Sequence, residues 1–209
     1  MKYQHDTNKY YKSLPYVAFE IGGKMMHSTN NPIAIQSKKW LTTALLDLMK
    51  DKPYDKITVK EIAEKADLNR STFYRNFNTK EDVINYYLDY LTEEYIHRIG
   101  RSDKMDMSKV SRIFVEFWGE NLEFVYSLRK NGLSYFLLEA FNTRLPYIHK
   151  SIQDKFSYKI SEENLEFSLA FNAGGMWNLL MKWIDTGFVQ SRTDLVKAFE
   201  EISNFNFIK

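Results

Sequence analysis

Through most of the chain the apolar positions recur every three or four residues, and no stretch alternates residue by residue. Ile33, Ser37, Trp40, Leu41, Ala44, Leu45 and Leu48 form a first stripe; Val59, Ile62, Ala63 and Ala66 form a shorter one, with Lys60, Glu61, Glu64 and Lys65 on its polar side. Ile84, Tyr87, Leu88, Leu91 and Tyr95 mark a long helix, then Val110, Phe114, Phe117 and Trp118 another, and Leu133, Phe136, Leu137, Ala140, Phe141 and Ile148 a third that must accommodate Pro146. Spacings of three and four place side chains on one face of a helix, whereas a half-buried strand needs a period of two. The pattern predicts an all-α fold.

Near the C-terminus the pattern changes character. Leu165, Leu169, Ala173, Met176, Leu180 and Trp183 make one stripe, and Phe167, Phe171, Gly174 and Met181 fall on a second side of the same helix. A helix apolar on both sides is buried on both sides, so one side is expected to cover the chain's own core and the other to need a partner. Gly174 and Gly175 in mid-helix cost roughly 1 kcal/mol each relative to Ala, a cost that close approach of another helix offsets. Leu195, Phe199, Ile202 and Phe205 form the stripe of a last helix.

Local signals set the ends of these helices. Asn31-Pro32 places a cap before proline at a first helical position, and Thr58 with Glu61 is a capping box. Thr79 with Asp82, and Ser191 with Asp194, read the same way, Ser161 precedes Glu162 and Glu163, and Asn131-Gly132 is a helix stop. Residues 1–30 do not share the helical pattern. Two readings of them stay open: a basic arm that reaches DNA, or translation assigned too far upstream, since Gly22-Gly23-Lys24 before Met25-Met26 is what a purine-rich ribosome-binding site would spell.

Composition narrows the function. Lys and Arg number 29 against 27 Asp and Glu, and a hydrophobic content of 44% is enough for substantial cores. The absence of Cys removes disulfides, thiolate catalysis and Cys-based zinc sites and fits a cytoplasmic protein; no apolar run approaches the ~18 residues of a membrane span. His97 and His149 lack a second ligand at helical spacing, and Glu93-Glu94 and Glu162-Glu163 are adjacent, not stacked, so neither a metal site nor an acid-base pair is predicted. No enzyme and no cofactor is expected.

The charge that matters is local. From Leu68 to Lys80 there is no acidic residue, while Arg70, Arg75 and Lys80 are basic. Phe73 and Phe77, four apart, pin a short helix and turn Arg70, Ser71, Thr72, Tyr74, Arg75 and Asn76 outward. A short helix with a donor-rich face, held against a capped helix by Asp67-Leu68-Asn69, fits the major groove of DNA. At the start of the next helix, Lys80 and the first N–H groups are predicted to seat a phosphate.

The run Thr58 to Asp82 resembles the DNA-binding signature of the TetR family of bacterial transcription regulators, most specifically at Thr72-Phe73-Tyr74-Arg75-Asn76-Phe77 and Thr79-Lys80-Glu81. Asp67 stands where the family pattern has Gly, so it is expected in the left-handed conformation. The resemblance implies a helix-turn-helix domain over residues 31–82 and a helical dimerisation and effector domain over 83–209. Gly174, Gly175, Trp183, Gly187 and Phe188 are similar to the subgroup that includes dihydroxyacetone-kinase regulators, which implies a dimer interface at Phe171, Gly174, Gly175, Leu195, Phe199 and Ile202. Thr58, Thr72, Tyr74, Asn76 and Lys80 are expected on phosphates, and Asn69, Arg70, Ser71 and Arg75 nearest the bases. An effector pocket is expected among Phe117, Trp118, Phe136, Trp177 and Met181. The function predicted is a dimeric repressor on a palindromic operator, released by a small molecule, the alternative being control by a protein partner or by concentration alone.

Overall fold

The computed structural model describes residues 19–21, 24–26, 31–102, 104–156 and 161–203. A short antiparallel ribbon, β1 (Phe19–Ile21) and β2 (Lys24–Met26), pairs Phe19 with Met26 and Ile21 with Lys24. Gly22-Gly23 lies between them, a dipeptide and spacing that favour a hairpin. This ribbon was not anticipated from the helical periodicity; the readings of a DNA-reaching arm and of an upstream start fall mainly outside the described residues. All other regular structure described is helical.

The chain packs as two units, residues 1–90 and 91–209. In the first, α1 (Pro32–Asp51) begins where the Asn31 side chain accepts from the Ile33 N–H, 3.0 Å away, with Pro32 at the first position. Its buried face is Ser37, Leu41, Ala44, Leu45 and Met49, while Ile33 and Trp40 are exposed, Trp40 by 49%. The expected stripe is therefore rotated: Met49 takes the inward place, and Ser37 is tolerated there because its hydroxyl donates to the Ile33 carbonyl.

A 3-10 turn at Tyr54–Lys56 leads into α2 (Val59–Lys65), α3 (Arg70–Asn76) and the long α4 (Lys80–Gly100), whose residues 91–100 belong to the second unit. Both halves of the Thr58 capping box form. After α2 the Asp67 N–H reaches the Glu64 carbonyl and the Leu68 N–H reaches Ala63, with Asp67 at φ 54. That is the Schellman reversal, and it demands the left-handed residue that Asp67 supplies in place of glycine.

The second unit contains α5 (Met107–Glu120), α6 (Leu122–Lys130), α7 (Ser134–Ile152), α8 (Glu162–Asp185) and α9 (Arg192–Ser203). α7 continues through Pro146. Ser161 stands at the cap of α8, but its hydroxyl makes no capping bond there, unlike Ser191, which accepts from the Asp194 N–H. α7 packs on α8 and α5 on α9. Close approach at the second pair rests on Gly119, whose carbonyl accepts from Arg192 at 2.6 Å; a Cβ at this position would sit 2.6 Å from the Arg192 Nε.

Leu195 and Phe199 are buried, with the Phe199 ring 6.0 Å from Phe114 of α5. They cover the chain's own core and do not present themselves to a second copy, because the apolar side of α9 is already used by α5. Ile202 is exposed, as are Phe167 and Phe171 at 77% and 79%. Phe205 lies outside the described residues.

The capping box carries an acid-sensitive tie. The Glu61 carboxylate is held by the Lys52 ammonium at 2.5 Å and by the N–H and hydroxyl of Thr58, and these bonds pull its pKa to about 2 from 4.5. A depressed carboxylate stabilises the fold above its unfolded pKa and ceases to do so as pH falls through the folded one. Between pH 4.5 and 2, the melting temperature of Glu61→Gln should therefore fall less steeply than that of the wild type; parallel curves would show that the tie contributes nothing.

Candidate nucleic-acid interface

The reading surface follows from how little of α3 is needed to anchor it. Phe73 is fully buried and Phe77 nearly so, their rings 5.9 Å apart, and they seat a helix of seven residues on α1 and α2. A helix this short is not stable alone, so its placement is dictated by these contacts. Asn69, Arg70, Ser71, Tyr74 and Arg75 are left exposed.

Two of the predicted contacts sit differently. Thr72 is buried, and its hydroxyl accepts from the Arg75 guanidinium at 2.8 Å. It lies adjacent to Phe73 on the inward side of the helix, so the outward orientation expected for it is corrected. Asn76 is half-buried and donates to the Thr72 carbonyl at 2.8 Å. Arg70 rests on Tyr74, with its guanidinium carbon 5.4 Å from the ring centroid and a hydrogen bond to the phenol oxygen at 3.2 Å. Arg70 and Arg75 are thus pre-positioned by neighbours one helical turn away while remaining exposed.

The start of α4 is more committed than the sequence implies. Lys80 Nζ donates to the carbonyls of Tyr54 and Ile57 at 2.8 and 2.7 Å and lies 4.3 Å from the Tyr54 ring centroid. The Tyr54 hydroxyl in turn donates to Glu81 at 2.8 Å. The N–H groups of Asn78 and Thr79 are taken by the Asp82 carboxylate. Lys80, assigned to a phosphate seat, is therefore first of all a clamp between α4 and the turn that feeds α2, and of the first N–H groups of α4 that of Asp82 donates to the Thr79 hydroxyl. Thr58 is exposed, with its hydroxyl engaged by Glu61.

Sequence reasoning missed the partners in this clamp. Tyr54 and Glu81 are 27 residues apart and Lys52 and Glu61 nine, so no helical spacing announces either pair. Lys38 is a further case: its ammonium lies 5.8 and 5.4 Å from the Phe77 and Tyr86 ring centroids, and burial lowers its pKa.

In the second unit, Phe117, Trp118, Phe136 and Met181 are buried, and Trp177 is half-buried. Phe117 and Trp118 meet edge to face at 5.2 Å, and Trp118 meets Phe141 at 5.4 Å, so these rings pack as core. Phe136 and Trp177 are associated instead with the α7 start, where the indole N–H donates to the Ser134 carbonyl at 3.3 Å. Among the described residues no acidic or His cluster could hold a metal ion, and no helix is long and apolar enough to cross a membrane.

The clamp yields a graded test. Lys80→Met should lower stability to unfolding by about 1–3 kcal/mol, because two part-buried carbonyls lose a charged donor. Tyr54→Phe, which removes the bond to Glu81 and keeps the ring, should cost about 0.5–1.5 kcal/mol. Urea denaturation measures both, and a Lys80→Met protein as stable as the wild type would remove the clamp from the account.

Comparison with known proteins places this surface in context. The pattern of the family described as bacterial regulatory proteins, tetR family, matches residues 41–87, from within α1 to within α4. The chain is similar to the HTH-type dhaKLM operon transcriptional activator DhaS of Lactococcus lactis, 24% identical over 174 residues that cover 82% of this chain and 89% of that protein. Its fold is similar to a solved structure of the dihydroxyacetone kinase operon activator DhaS, with TM-score 0.54, 24% identity and coverage of 81% and 93% of the two chains. It is also similar to the fatty acid degradation regulator FadR from Bacillus halodurans, with TM-score 0.57, 15% identity and coverage of 86% and 98%. The capped helix, the left-handed turn and the exposed helix α3 all lie inside residues 41–87, so this segment is a helix-turn-helix DNA-binding region of the kind found in bacterial regulatory proteins of the tetR family.

Proposed function

We propose that the protein acts as a homodimer on a palindromic operator, each copy presenting α3 to one half-site, and that a small-molecule effector bound in the second unit releases it and ends repression. The observation that carries the DNA-reading part is the exposed set Asn69, Arg70, Ser71, Tyr74 and Arg75 on a helix with no acidic residue in its first turn. Arg70 and Arg75, with Asn69 and Ser71, are placed nearest the base edges; Tyr74, Asn76, Thr58 and the remaining donor of Lys80 serve the phosphates. Thr72 acts through Arg75, whose guanidinium it orients.

Support for the twofold partner comes from α8. Phe167 and Phe171 stand exposed on the side that carries Gly174 and Gly175, and no atom lies within 4 Å of a Cβ built at either glycine. Covering a phenylalanine is worth about 1.5–3 kcal/mol, so leaving two on one helix to water is costly unless a second copy buries them. Ile202 joins this surface; Leu195 and Phe199 do not.

The sign of regulation has a second reading. The Lactococcus relative is named an activator, which favours activation here, and the same dimer gives either sign according to where its operator lies relative to the promoter. Control by a protein partner or by concentration replaces the effector if no small molecule alters operator affinity. A gel shift on DNA from upstream of the protein's own gene tests the core of the proposal, and failure to bind any duplex at low salt would end it.

Two substitutions separate its parts. Arg70→Ala should weaken operator binding by about 1–3 kcal/mol and relax preference at one base pair; an unchanged base preference would take Arg70 off the base edges. Gly174→Leu should be tolerated by a single copy, since the site is open and the change raises helix propensity by close to 1 kcal/mol. It should nevertheless give monomers by sedimentation with weakened operator binding; a fully dimeric variant would place the interface elsewhere.

A further inference from the structure

We infer that two copies of α8 pack antiparallel across Gly174 and Gly175, so that Lys182 of each copy lies over the Phe167 ring of the other. This pairing rests on the twofold partner proposed above and gives it a direction, a register and a polar contact. α8 has 24 residues, and the two glycines are its thirteenth and fourteenth, so the flat point of the helix lies at its middle. Phe167, Phe171, Gly174, Asn178 and Lys182 follow one another at steps of three and four, which keeps them on one side of the helix. The four that carry side chains are all exposed. This side is therefore aromatic before the glycines and polar after them.

A face of this kind complements itself only when turned end for end. Measured from the midpoint between the glycines, Phe171 and Asn178 lie equally far out, and so do Phe167 and Lys182. At 1.5 Å per residue the second pair stands roughly 11 Å from the crossing. In an antiparallel pair Phe171 thus comes level with Asn178 of the second copy, and Phe167 with Lys182 of the second copy. Room exists at the first of these places. No atom lies within 4 Å of a Cβ built at Gly174 or Gly175, and the Asn178 amide folds back along the helix to donate to the Gly174 carbonyl at 2.8 Å. At the second place a long cationic side chain meets an exposed ring, and a cation over the face of a ring is attracted to it.

Charge selects the same direction. The first turn of α8 holds Glu162 and Glu163, and its last turn holds Lys182. Antiparallel packing sets the acidic turn of one copy beside the basic turn of the other and opposes the two helix dipoles. Parallel packing would place Lys182 against Lys182 and Glu163 against Glu163, and like charges brought together across an interface disfavour that pairing.

Because the chain contains no cysteine, introduced cysteines report the pairing directly. Full-length Phe167→Cys and Lys182→Cys proteins, mixed, allowed to exchange subunits and treated with a short bis-maleimide, should give mixed cross-links. Neither should cross-link alone, because its two thiols stand roughly 22 Å apart along the helices. Sedimentation tests the contact itself. Lys182→Glu should raise the dissociation constant of the dimer by about tenfold or more, since two cation contacts are lost, and Lys182→Arg should leave it near the wild-type value. The combined Phe167→Ala/Lys182→Ala change should weaken the dimer by less than the product of the two single effects. Both positions are exposed in the single copy, so circular dichroism should show unchanged helix content throughout. Lys182→Cys that cross-links to itself, a mixture that gives no mixed product, or a Lys182→Glu dimer of wild-type strength overturns the inference. If Gly174→Leu is monomeric in any of those cases, the twofold partner on α8 stands and only this pairing is removed; a dimeric Gly174→Leu removes both.

Discussion

The placement of the reading helix depends on one ammonium group. Lys80 draws the Tyr54 and Ile57 carbonyls toward the start of α4, lies against the Tyr54 ring, and is backed by the Tyr54 hydroxyl on Glu81. The turn it grips runs into Thr58 and α2, and α2 with α1 supports Phe73 and Phe77. Since α3 spans seven residues and has no stability of its own, its position is inherited from this chain of contacts. A charged donor shared by two carbonyls is stronger than a neutral bond and resists small displacements of α4 relative to the turn. Any signal that moves the beginning of α4 must therefore carry Tyr54 with it.

A different constraint acts in the second unit. Its core is closed by aromatic pairs such as Phe117 with Trp118 and Phe114 with Phe199, and by the passage of Arg192 over Gly119. α8 then carries two kinds of apolar residue: Leu169, Ala173, Leu180 and Trp183 inward, Phe167 and Phe171 outward. Met181, assigned by spacing to the outward stripe, is buried, because near its C-terminal end the helix is covered from more than one side. The outward phenylalanines stop where the glycines begin, so the open face changes from bulky to flat along the helix, a shape suited to a crossing partner helix.

What could be read in the sequence was what is encoded within a few residues. Caps at Asn31, Thr58, Thr79 and Ser191, the left-handed Asp67 and the stop at Gly132 all rest on local backbone geometry, and the structure holds them as expected. Face assignments were less secure because they depend on neighbours that periodicity does not name. Trp40 and Ile33 fit the stripe of α1 yet lie on its wet edge, and Leu195 and Phe199 fit an interface stripe yet are consumed by α5. Thr72 looked like a donor on the reading face because it is polar; its burial beneath Arg75 follows from proximity to Phe73. Long-range polar partners were illegible for the simplest reason, since a lysine gives no sign in sequence of which carbonyls it will reach.

These corrections bear on how a free reading head is kept ready. In the proposed DNA-reading role, Arg70 over Tyr74 and Arg75 on Thr72 hold two long side chains that would otherwise lose rotamer freedom on binding, a loss of order 0.5–1.5 kcal/mol for each immobilised side chain. The contacts themselves are weak and mostly neutral, so exchanging them for base edges or phosphates forfeits little. An ion pair in the same place would act differently: an acidic partner would have to be displaced and would repel the incoming phosphates. The lack of any Asp or Glu between Leu68 and Lys80 thus has a second physical consequence besides local charge. It leaves the arginines positioned by a ring and a hydroxyl, partners that constrain geometry without competing for the charge.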